Sequence, residues 1–143
     1  MIRRINNDDI NAVMKIWLES NIEAHSFVGE GYWTDNYSAV KEQLTGADVF
    51  LYEQDGEILG FVGMVGNYLA GIFVDSAHRC QGIGKILLDY VKKNYDCFTL
   101  DVYSKNSRAV NFYLREGLYV TKKGVDETGN EELTMCRKTK CKG

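Results

Sequence analysis

Short apolar runs alternate along this chain with stretches in which apolar residues return every three or four positions. The first kind reads as strands and the second as amphipathic helices. Residues 2–5 make a short edge strand. From residue 8 to about 20, Ile10, Val13, Met14, Trp17 and Leu18 share one helical face, with Asn7 and Asp8 offering cap oxygens. A second helix, capped by Thr34 or Asp35, turns Val40 and Leu44 inward and ends at Gly46. Strands over 49–52 and 58–65 flank Asp55-Gly56, a pair suited to the positive φ angles of a tight hairpin turn. Gly66-Asn67 then turns the chain into a strand at Tyr68–Val74.

Beyond a polar loop, Ile83, Ile86, Leu87, Tyr90 and Val91 fall at helical spacing. The next apolar run, Cys97–Tyr103, follows a helical crossover and so should lie parallel to Tyr68–Val74, with a right-handed connection. A helix over 107–116, capped by Asn106 or Ser107, buries Val110 and the Phe112-Tyr113 region and stops at Gly117. Strands over 118–123 and 132–137 close the chain as a hairpin around 126–130. The order is β-α-α-β-β-β-α-β-α-β-β, an α/β (α+β) chain of about seven strands.

One segment fits neither rhythm. Residues 23–33 hold Phe27, Tyr32 and Trp33 with two glycines, apolar for a loop. They can cap the core, or line a substrate cleft with His25 and Glu30 facing inward, and the two readings are compatible.

Composition narrows the class. With 143 residues, no proline and 45% hydrophobic content, residues 1–143 suit one domain with its own core. No apolar run nears the ~20 residues of a bilayer-spanning helix, and residues 1–9 lack the apolar stretch of a signal peptide. A cytoplasmic protein without a membrane partner is expected. The net charge of −3 argues against nucleic acid. Cys80, Cys97, Cys136 and Cys141 form no C-x-x-C pair, so reduced thiols and no metal site are expected.

The candidate chemistry begins at the glycines. A strand, a loop with Gly82 and Gly84, and a helix N-terminus together hold phosphate well, because first-turn N–H groups lack partners and the helix dipole is positive there. A nucleoside-triphosphate loop is excluded, since Arg79 and Ile86 stand where it needs Gly and Ser or Thr. A dinucleotide fingerprint is excluded by Leu87 in place of its third small residue and by seven residues between Val74 and Gly82. What remains is Arg79-x-x-Gly82-x-Gly84. It resembles the acyl-CoA loop of the GNAT superfamily of N-acetyltransferases, Gln/Arg-x-x-Gly-x-Gly/Ala. A second segment, from Leu100-Asp101-Val102 through Asn106, Ala109 and Tyr113 to Gly117-Leu118, resembles that superfamily's L-E-V-x-x-x-N-x-x-A-x-x-x-Y-x-x-x-G-F stretch. His25-Ser-Phe27 and Tyr32-Trp33-Thr-Asp35 are similar to a group of small bacterial acetyltransferases, some of which modify protein lysines.

The resemblance implies a central mixed, mostly antiparallel sheet with flanking helices, and acetyl transfer from acetyl-CoA to a primary amine by direct attack. The acceptor stays open among protein lysines, N-termini and small amines, and so does the choice between monomer and homodimer. Backbone groups of Ile72, Phe73 and Val74 would hold the pantetheine arm, with Asn106 beside it. The diphosphate would rest on Arg79, Cys80, Gln81, Gly82, Ile83, Gly84 and Lys85. Tyr113 matches the general acid that protonates the departing thiolate. For the base, Asp101 stands where relatives carry glutamate, and His25 is the other candidate because its ordinary pKa is near ~6.5. A non-catalytic acyl-CoA sensor is the alternative function.

Overall fold

A computed structural model describes residues 1–79 and 81–138. Cys80, expected at the diphosphate loop, and Cys141 lie outside the described residues. The elements are β1 (Ile2–Arg4), α1 (Ile10–Ala24), α2 (Glu30–Gln43), β2 (Asp48–Gln54), β3 (Glu57–Val65), β4 (Tyr68–Val74), α3 (Ile83–Asn94), β5 (Cys97–Tyr103), α4 (Ser107–Arg115), β6 (Tyr119–Val125) and β7 (Glu131–Lys138). The strands form one sheet in the order β1-β2-β3-β4-β5-β7-β6. The β4–β5 pair is parallel and every other neighbouring pair antiparallel. Among the described residues no helix is long and apolar enough to cross a membrane.

Strand alternation sends successive side chains to opposite faces of this sheet. Val49, Leu51, Phe61 and Tyr103 meet α1 and α2 on one face. Phe50, Val62, Leu100 and Val102 meet α3 and α4 on the other. A fully buried Leu or Val in either layer contributes about 1.5–3 kcal/mol through the water it leaves. In α3 the buried stripe is Ile83, Leu87, Leu88 and Val91, while Ile86 is 40% exposed. The expected stripe therefore has to be rotated by about one residue toward Leu88.

Two helix starts differ from the expectation. Asn6, not Asn7 or Asp8, caps the turn leading into α1, and the Asp9 carboxylate accepts back from the Asn6 N–H and from both ends of the Arg3 guanidinium. Helix α2 starts at Glu30, well before Thr34 or Asp35, because Trp33 and Tyr37 belong to its inward face and pack on Trp17 of α1. The turn at Asp55-Gly56 has φ of 54° and 79°, as a two-residue hairpin requires.

One irregularity shapes the middle of the sheet. Gly63 pairs with Gly71 and Met64 with Leu69, which leaves Ala70 as an extra residue in β4. Such a bulge bends its strand and increases the twist. Strand β4 accordingly meets β5 at Tyr68↔Thr99 and parts from it beyond.

Candidate active site

The gap between the parted ends of β4 and β5 is a cleft of about 410 Å³. Ala70 to Phe73 form one wall, Asp101 to Tyr103 the other, and Asn106, the cap of α4, with Ala109 and Tyr113 of that helix close it from behind. The end of α1 and the start of α2 add Asn21, His25 and Trp33. Strand β3 covers one edge of β4 along residues 71–74. Among the described residues no strand lies along the other edge there, and the Val74 carbonyl accepts only a long 3.5 Å bond from the Ser20 hydroxyl, so this edge can take a ligand with amides of its own.

His25 is held at both ring nitrogens. Asn21 uses its amide N–H on the Trp17 carbonyl, which leaves its oxygen to accept from His25 Nδ1–H at 2.9 Å. Asn106 uses its oxygen to cap α4 at the Ala109 N–H, which leaves its amide N–H to donate to His25 Nε2 at 3.0 Å. The ring is therefore neutral with its proton on Nδ1, and burial lowers its pKa to about 4. This pKa lies below the ordinary 6.5, so the unfolded chain binds the proton more readily. The stability that neutral His25 contributes is complete above about pH 6.5 and is lost as pH falls toward about 4. His25→Gln should remove that loss in thermal melts taken across the window, and a melt series unchanged from wild type would contradict this geometry.

Tyr113 is 7% exposed, and burial pushes its phenol above the ordinary tyrosine range, so it stays protonated. Its hydroxyl bonds no described residue. The turn that carries it is closed by Gly117, with φ of 96°, and by the Leu118 N–H on the Tyr113 carbonyl at 3.0 Å. Asp101 accepts from the Tyr68 hydroxyl at 3.0 Å and the Thr134 hydroxyl at 2.6 Å. Glu30 is exposed and outside the cleft lining, so of the two inward candidates in 23–33 the cleft takes His25 alone.

The glycine loop lies past the end of β4, outside the lining of this cleft. Gly82 caps α3 in the left-handed region at φ 85°, and among the described residues no side chain takes the first-turn N–H groups. Those amides suit an anion. The nearby cations are engaged with carboxylates: Arg79 pairs with Glu23 at 2.8 Å, and Lys85 with Asp89 and Glu116, both at 3.3 Å. Ile83 is core and offers its backbone only, while Gln81 is exposed.

Comparison with known proteins gives the same picture. The acetyltransferase (GNAT) family model matches residues 10–118. The chain belongs to the GNAT acetyltransferase family. It is 38% identical over 122 residues, 84% of each chain, to the peptidyl-lysine N-acetyltransferase YiaC of Escherichia coli (strain K12). To the peptidyl-lysine N-acetyltransferase YjaB of Salmonella typhimurium it is 30% identical over 130 residues, 90% of each chain. The apo solution structure of YjaB from Escherichia coli superposes with a TM-score of 0.84 at 25% identity, covering 95% of both chains. The yncA protein of Salmonella typhimurium, solved with its cofactor acetyl-CoA, shares the fold at a TM-score of 0.68 and 19% identity, over 96% of this chain and 92% of that one.

A GNAT acetyltransferase moves an acetyl group from acetyl-CoA to an amine, and the family and its named relatives support this enzymatic reading over the sensor alternative. Among the described residues no cluster of His, Cys, Asp or Glu is arranged to hold a metal. Of the expected site residues, the GNAT cleft gathers His25, Ile72, Phe73, Asp101, Asn106 and Tyr113. It also brings in polar residues that the linear reading passed over, among them Asn21, Tyr68, Tyr103, Asp126, Glu127 and Glu132. Asp126 and Glu127 sit in the β6–β7 turn, latched to Tyr103 and Tyr32. Burial and the Glu127 bond push the Tyr32 phenol up to about 12.

Proposed function

We propose that this enzyme acetylates the ε-amino group of lysine side chains in proteins, using acetyl-CoA as donor. The parting of β4 from β5 at the Ala70 bulge, with Tyr113 lining the gap, is the observation that carries acetyl transfer into this cleft. Two relatives at 30% identity or better, both named peptidyl-lysine N-acetyltransferases, support lysine as the acceptor. So does the row of carboxylates at the cleft mouth, which suits a cationic side chain.

Each part of the donor has a complement. The diphosphate takes the open amides at Gly82, Ile83, Gly84 and Lys85, and it competes with Glu23 for Arg79. The pantetheine arm pairs with the free edge of Ile72, Phe73 and Val74. Asn106, fixed in orientation by His25 and the Ala109 N–H, presents its side chain to the same arm. The amine then attacks the thioester carbonyl directly, and Tyr113 gives the departing sulfur its proton. His25 positions Asn106, because its accepting nitrogen is already used. Asp101 positions Tyr68 and Thr134 through its two oxygens.

A competition assay tests the acceptor. With acetyl-CoA and an equal mixture of an N-terminally blocked lysine peptide, a lysine-free peptide with a free N-terminus, and spermidine, the acetyl group should go to the blocked lysine peptide. Preferential labelling of the α-amine or of spermidine would overturn the substrate class.

A further inference from the structure

Four carboxylates line the acceptor end of the cleft: Asp101, Asp126, Glu127 and Glu132. Three of them are already held by donors of the chain. Asp101 takes the hydroxyls of Tyr68 and Thr134. Asp126 takes the Tyr103 hydroxyl, the Thr128 hydroxyl and N–H, and the Asn130 N–H. Glu127 takes the Tyr32 hydroxyl. Glu132 accepts from no side chain and pairs with no cation among the described residues.

Among the described residues no cation pairs with Glu132, and Lys105, which reaches the neighbouring turn, donates to Asn130 at 3.4 Å. Glu132 stands opposite Tyr103 of β5 and Gly124 of β6. The charges acting on it are those of Asp101, Asp126 and Glu127. Lys122, opposite Thr134 on β6, makes no ion pair with it. A half-buried carboxylate among like charges, facing an amine-binding cleft, is short of a cation. The acceptor's ammonium group is one.

We propose that Glu132 receives the acceptor ammonium and takes its proton, acting as the general base of the transfer. This rests on the acceptor being a cationic amine, as in the function proposed above. The bookkeeping of protons closes. One ammonium proton passes to Glu132 and on to solvent, leaving a neutral amine whose lone pair forms the N–C bond. The C–S bond breaks as the tetrahedral adduct collapses. The sulfur takes a proton from Tyr113, and the proton lost by the new amide nitrogen restores the phenol through water. Burial and the three neighbouring carboxylates push the Glu132 carboxyl above the ordinary carboxylate range, toward the working pH where a base is most effective.

The test compares Glu132→Gln with wild type, using α-N-acetyl-lysine amide as acceptor and saturating acetyl-CoA. Expected at pH 7 is a fall in kcat/KM of about 10²–10⁴-fold with loss of the acidic limb of the pH profile, at unchanged acetyl-CoA affinity. Glu132→Asp, which keeps the charge, should keep the limb, and so should Asp101→Asn. A limb that survives Glu132→Gln, or vanishes with Asp101→Asn, overturns the assignment. A second readout does not depend on turnover. In an NMR titration of the CoA-bound protein with n-butylamine, Glu132→Gln should weaken binding at least about tenfold, the scale of one desolvated charge pair. Equal binding by both proteins overturns the assignment too. Wild type that binds the amine through Glu132 yet acetylates no lysine would instead sink the proposed substrate.

Discussion

Tyr113→Phe lowers kcat by about 10²–10⁴-fold on any good acceptor and leaves acetyl-CoA affinity nearly unchanged. The substitution removes one oxygen from a ring that is otherwise packed in the core layer under α4. That hydroxyl bonds no described residue, so its loss frees no internal partner and the fold should hold. The departing thiolate, however, loses its proton donor in a site where burial keeps the phenol protonated at every working pH. The split between kcat and affinity is the diagnostic. Steady-state kinetics beside calorimetry of acetyl-CoA binding would show it, and an unchanged kcat would reduce Tyr113 to a packing residue.

Gly84→Glu should lower acetyl-CoA affinity at least about 10²-fold, because a carboxylate set against a diphosphate costs several kcal/mol. The protein itself has room for the change. A Cβ at Gly84 would meet Phe112 Cζ at 3.8 Å and Val74 Cγ2 at 3.9 Å, ordinary contact distances. A glutamate in the first turn of α3 also complements the helix dipole. Thermal stability should therefore stay near that of wild type while binding is lost. Gly84→Ala separates shape from charge and should have a small effect. Normal acetyl-CoA binding by Gly84→Glu would move the diphosphate elsewhere.

How much of this could be read from the chain depended on how local each feature is. The hairpin at Asp55-Gly56, the cap at Asn106 and the stop at Gly117 are written in single residues whose backbone needs are known. The glycine loop and the stretch from Leu100 to Leu118 are compact motifs, so both segments could be picked out in advance. Helix α2 was hidden at its start, because Gly29 and Gly31 look like loop while Trp33 and Tyr37 already carry the inward face. The bulge at Ala70 has no local mark at all, since Leu69-Ala70-Gly71 reads as plain strand. Most distant of all is the acceptor side. Glu132 reaches the cleft because β7 inserts between β5 and β6 in the register Asp101↔Thr134 and Tyr103↔Glu132. Nothing in the order of a terminal hairpin says which of its two strands lies inside.

The most direct measurement follows CoA-SH release with and without an acceptor, alongside mass spectrometry of that acceptor. The purified chain is given acetyl-CoA and an N-terminally blocked peptide containing a single lysine. Release of CoA-SH should require the peptide, and each CoA-SH should be matched by one acetyl group on the lysine ε-nitrogen. Release that ignores the peptide, or acetyl-CoA binding with neither release nor acetylation, would contradict acetyl transfer to lysine in the β4–β5 cleft.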